Sequence, residues 1–170
     1  MSKPKPVNWS VDQSSDGPFT YLADLITKYH SDVQNVHCIA LWRDNVKPDQ
    51  DGVILLADIS KSPDKFREIY PHDFIIGVNR AVWGLLDDCQ RKIVLDSQLE
   101  RIAVSTDKDG NPREDDRSRA VYRLKKTQTV DNETIISRHG FSLDDIHEFV
   151  CEKLGGDVKD GSYAAGVLSN

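Results

Sequence analysis

This chain lacks any long apolar run: nothing in its 170 residues approaches the roughly 20 apolar positions that a membrane-crossing helix needs. The opening MSKPKPVNWS holds no apolar stretch of the secretory kind, so a cytoplasm is the expected compartment and no membrane the expected partner. The cysteines Cys38, Cys89 and Cys151 are few, odd in number and scattered, which excludes a disulfide framework, and no CxxC pair offers a thiolate metal site. We read them as reduced thiols. GxSxG, a phosphate loop and a Cys–His signature are missing too, so the commonest nucleophile and nucleotide chemistries have no carrier. Positive charge is also in short supply: 22 Lys and Arg face 28 Asp and Glu, a net charge of −6. That argues against a general phosphate-binding role and leaves a basic protein partner, or mimicry of a nucleic acid.

What is present is an ordinary apolar share of 38%, enough at this length for one domain with a real core. Residues 1–17 are polar, Pro-containing and aperiodic, and are expected to be a flexible arm; 18–155 are the expected domain and 156–170 a flexible polar tail. Leu22, Leu25, Ile26 and Tyr29 recur at helical spacing. The β-rich runs VHCIALWRD and GVILLADIS, joined by NVKPDQDG, predict two neighbouring strands, and HDFIIGVN a third. Ser62 and Pro63 open a helix over SPDKFREIY; a short helix follows at RAVWGLLDD, and a longer one runs over 87–103 from an acidic cap. Asp107–Arg119 is a charged loop with a DG turn, the tip of a hairpin that returns through AVYRLKK. Two helices close the domain, the first stopped by Gly140. No internal repeat is visible. The pattern predicts an α+β fold: a small sheet of about three strands plus a hairpin, packed on a central helix and flanking helices.

On that central helix, VLDSQLERI holds polar Ser97, Gln98 and Arg101 in one sector. A zinc peptidase helix, HExxH, puts two imidazoles one turn apart with a glutamate between them to polarise a metal-bound water. Serine is a poor zinc ligand, arginine is a permanent cation without a free lone pair, and a carboxamide takes no proton. These residue types carry none of that chemistry.

The chain nevertheless resembles the phage metallopeptidases, small zincin-like proteins encoded by bacteriophages and prophages. The likeness runs through LITKYHSDVQNVHCIALWRD, DFIIGVNRAVWGLLDDCQRKIVLD and DGNPREDDRSRAVYRLKK to IISRHG, roughly Leu22 to Gly140. It implies a zincin-like single domain. Members with an intact site read L-D-H-E-L-C-H on the central helix, with a third His in a K-H-D-like context after the hairpin's return strand. Laid on this chain, the first His falls on Ser97, the Glu on Gln98, the second His on Arg101, and the third His on Thr127, after Lys125 and Lys126. All four depart from the pattern, so the catalytic positions are vestigial, no metal ligand is assigned, and the family's zinc finds no support in these residues.

Other candidates are assigned modest roles. His30 and His139 stand at helix ends, where they cap carbonyls, His37 alternates with Cys38 on a strand, and no two of the five histidines have ligand spacing. The paired acids at Asp87, Asp115 and Asp144 suit helix starts and loops. Arg101 is a candidate grip for a carboxylate or phosphate, and Trp9 and Arg123 are further binding candidates. The expectation is a pseudo-metallopeptidase of phage or prophage, in the cytoplasm of the bacterial host. It would bind a host or phage macromolecule, such as a defence or replication component. The alternatives are a zinc peptidase with non-standard ligands and an acidic nucleic-acid mimic.

Overall fold

The computed structural model describes residues 8–12, 14–126 and 132–154, with the backbone of 158–159 and 162–163. It is a mixed α+β fold built on a four-stranded sheet of order β1-β2-β4-β3, made of β1 (Asn8–Val11), β2 (Cys38–Asp44), β3 (Ala57–Lys61) and β4 (Phe74–Asn79). β1 runs antiparallel to β2, β2 parallel to β4, and β3 antiparallel to β4. Alternation sends Cys38, Ala40 and Trp42 of β2, Phe74, Ile76 and Val78 of β4, and Ala57 and Ile59 of β3 into one buried layer.

Two expectations fail in this sheet. Asn8–Val11 is an edge strand, not part of a loose arm, because its backbone pairs with Leu41–Asp44. The two runs read as neighbouring strands are separated by β4: the connection after Asp44 carries the chain to the far edge, and β3 does not start until Ala57. A sheet of about three strands thus becomes four.

The helices are α1 (Pro18–Tyr29), the single turns α2 (Asp64–Arg67) and α3 (Arg80–Trp83), then α4 (Asp88–Leu99), α5 (Asn132–His139) and α6 (Leu143–Leu154). Ser62, expected as the cap of α2, instead donates its N–H to the Asp73 carbonyl. In α1, Pro18 at the first position and the stripe Leu22, Leu25 and Ile26 fix the start and the buried face. α4 begins with a reciprocal capping box: Asp87 Oδ1 accepts from the Gln90 N–H, and Gln90 Oε1 from the Asp87 N–H. From Ile93 to Leu99 every residue of α4 is buried, so the helix is enclosed all round, and each aliphatic side chain there contributes about 1.5–3 kcal/mol. α4 ends at Leu99, four residues before the expected Ala103, and the chain turns into β5 (Ile102–Val104).

β5 pairs with β6 (Tyr122–Leu124), as the predicted hairpin requires. Its tip is a doubled turn. Asp107 accepts the N–H groups of Asp109 and Asn111 on Oδ1, and Asp115 accepts those of Arg117 and Arg119 in the same way. A third copy sits between β2 and β3, where Asp49 accepts from Asp51 and Val53. The fourth residue of each turn is left-handed: Gly52, Gly110 and Ser118. A local repeat therefore exists, eight residues apart in the hairpin, carried by hydrogen bonds and not by apolar periodicity. The expected tail after residue 155 falls outside the described residues, except for a pairing of Val158–Lys159 with Ser162–Tyr163.

Candidate functional site

α4 packs against α1, α5, α6 and β3. Ser97 is buried and its hydroxyl donates back to the Ile93 carbonyl, 2.8 Å away. Gln98 is buried too, and among the described residues its Oε1 has no partner. Arg101 stands beyond the helix. Its N–H donates to the Gln98 carbonyl at 3.2 Å, which tightens the last turn, and its buried Nε has no partner among the described residues. Thr127 lies outside the described residues. Trp9 folds back on the sheet under the Arg43 guanidinium, 4.8 Å away, and stays 51% exposed. Arg123 is exposed on β6, opposite Ala103.

A zinc ion of this kind is held by thiolate, neutral imidazole or carboxylate donors. A hydroxyl turned to a backbone carbonyl, a carboxamide and a guanidinium are not that set, and the helix ends before the second ligand position. Zinc of the HExxH kind does not fit these residues.

Next to them lies a cluster that the sequence does not reveal. Asp96, 0% exposed, receives His30 Nε2 at 2.5 Å on Oδ1 and His139 Nε2 at 2.7 Å on Oδ2. Arg138 Nη1 reaches both Asp96 oxygens, at 3.1 and 3.2 Å, and Glu100 Oε1 at 2.6 Å. The side chains of His30 and His139 therefore bind a carboxylate, while the His30 backbone N–H closes α1 on the Ile26 carbonyl. Two histidines of different segments meet in one site, contrary to the absence of ligand spacing along the chain. Burial pushes the Asp96 carboxyl up, but the hydrogen bonds from His30 and His139 and the charge of Arg138 outweigh it and hold it below the ordinary range. Burial also opposes the charge on Arg138, yet Asp96 and Glu100 raise its pKa above the ordinary value.

His30, Asp96 and Glu100 offer donor atoms within 4.8 Å of one another, a spacing that could hold a metal ion. Arg138 already occupies that position as a cation. His30 Nε2 bonds Asp96 and its Nδ1 lies 3.9 Å from Glu100, so His30 and Arg138 together face both carboxylates. Beyond the cluster, Arg138 and His139 border an open cleft of about 620 Å³, lined also by Tyr21, Tyr29, Cys89 and Lys92. The one signal available in the sequence was the Asp96/Glu100 spacing on the helix, where two acids one turn apart resemble an exposed polar face.

The frame is a small α+β domain around a buried helix that carries Ser97 and Gln98 near its end. The chain belongs to the family described as "Putative phage metallopeptidase", whose model matches residues 20–154. Among curated proteins and solved structures, none matches the chain. No helix of the described residues is long and apolar enough to cross a membrane.

Proposed function

We propose that this phage metallopeptidase-like protein does no zinc peptidase chemistry and acts by binding a host or phage macromolecule, such as a defence or replication component, in the cytoplasm of a bacterial host. The observation that carries the proposal is the donor set at the motif: a back-bonded Ser97, the carboxamide of Gln98, and Arg101 beyond the helix end. The buried helix that a catalytic centre would need is kept while the ligands are not, which suits a scaffold whose role is contact. Arg101 and Arg123, both without a carboxylate partner among the described residues, support a contact surface for anionic groups.

A peptidase with non-standard ligands draws on the grouping of His30, Asp96 and Glu100. Arg138 counts against it, because a metal would have to displace a guanidinium bonded to both carboxylates. An acidic mimic of nucleic acid is weakened by the interspersed signs, with Arg117 and Arg119 against Glu68 and Asp115 in the region of strongest charge. Metal analysis of chelator-free protein tests the proposal: less than stoichiometric zinc is expected. One zinc per chain, lost on substituting Gln98 or His30, overturns it.

A further inference from the structure

Seven of the ten arginines have a carboxylate oxygen within 4.0 Å. Arg101, Arg113 and Arg123 are the three that have none among the described residues. Strand register places them together. Ala103 is opposite Arg123, and the Lys125 N–H donates to the Arg101 carbonyl at 2.7 Å, which sets Arg101 across from Lys125. Arg113 is level with Ser105 and Val121: its N–H donates to Ser105 O, and Val121 N–H donates to Arg113 O. Side chains alternate along a ribbon, so the three arginines and Lys125 share the face opposite buried Ile102 and Tyr122. Like charges directly across a ribbon destabilise it, and Lys125 has only a 4.0 Å approach to Glu100 in compensation.

We propose that the outer face of the β5–β6 ribbon docks an acidic peptide segment of a protein partner through Arg101, Arg113 and Arg123. This rests on the binding role proposed above and names the partner's chemistry. Carboxylates match the fork of a guanidinium bidentately, and they are what the chain's other arginines already hold. Nucleic acid fits less well. Between the arginines the face carries Ala103, Ser105 and Val121, with no ring on which a base could stack. Asp107, Asp109, Asp115 and Asp116 at the turns, and the net charge of −6, repel a long polyphosphate more than a short run of carboxylates.

Fluorescence anisotropy with a short labelled poly-glutamate peptide tests this on the full chain. Saturable binding is expected at low salt, falling as salt screens it. The double variant R101Q/R123Q should weaken it by about tenfold or more. R80Q removes one positive charge elsewhere, from an arginine paired with Asp44, and should leave binding unchanged. R101K/R123K should restore part of the loss, which separates charge from misfolding. The proposal is overturned by no saturable binding, by equal weakening by R80Q, or by tighter binding of duplex DNA of matched charge through the same arginines. Self-association abolished by R101Q/R123Q would assign the face to a second copy and also overturn it. Failure of peptide binding with zinc still absent rejects this face alone, whereas stoichiometric zinc rejects the non-catalytic role.

Discussion

His139 Nε2 lies 2.7 Å from Asp96 Oδ2, joining two residues 43 apart in sequence inside the protein. With His30 and Arg138 on the same carboxylate, Asp96 ties the end of α1, the middle of the buried helix and the end of α5 into one charged knot. A knot of this kind is costly to break from one side, because the remaining charges stay buried without a partner.

Asp96→Ala should therefore lose about 3–5 kcal/mol of stability, measured by chemical denaturation. A smaller loss, of the size of a surface substitution, would show that the surrounding charges relax into water.

Acid should undo the same contact. The Asp96 carboxyl is held below its ordinary 3.8, so its contribution is fully present above that value and is lost as pH falls through the lowered folded-state value. The melting temperature of the wild type is expected to drop below pH 3.8 by more than that of Asp96→Asn. Parallel acid limbs for the two proteins would contradict this.

Arg138→Ala leaves two carboxylates and two imidazoles with no fixed cation. That variant should gain a saturable rise in melting temperature on adding zinc or manganese, while the wild type shows none, because Arg138 holds the position. Equal stabilisation of both proteins would mean that a metal displaces the guanidinium readily.

Trp9 offers a check on the edge strand. A Cβ at Gly77 would stand 2.6 Å from Asp58 Oδ1, 2.7 Å from Arg43 Cδ and 2.9 Å from Trp9 Cζ3, all of them side-chain atoms. Gly77→Ala should lift the indole off the sheet at a cost of about 1 kcal/mol, seen as a red shift of tryptophan emission that a Trp9→Phe background lacks.

Local signals explain which parts of the fold could be foreseen. α1 and the start of α4 announce themselves through Pro18, the stripe Leu22–Leu25–Ile26, and the Asp87/Gln90 box, all set within a few residues. The end of α4 does not, since no glycine or proline stands at Glu100 or Arg101 to mark it, and the pull into β5 comes from pairing with Tyr122–Leu124, a distant segment. Strand order is likewise non-local: nothing in GVILLADIS says that Ile59 will lie beside Ile76 and not beside Ala40. β1 is too short and polar to declare itself without Leu41–Asp44 across from it. The charged knot is hidden for the same reason, because its four partners for Asp96 and Glu100 come from segments that meet only after folding.

The doubled turn at the ribbon's tip has a consequence for how this chain can change length. Ser105 N–H donates to Val121 O, Arg113 N–H to Ser105 O, and Val121 N–H to Arg113 O, a closed ring of bonds among Ser105, Arg113 and Val121. If residues 113–120 were deleted, Val121 would inherit the place of Arg113. Its N–H would meet Ser105 O, and the pair would become an ordinary antiparallel rung. Each unit closes on its own aspartate, so this tip can grow or shrink in steps of eight while β5, β6 and the helix before them stay where they are.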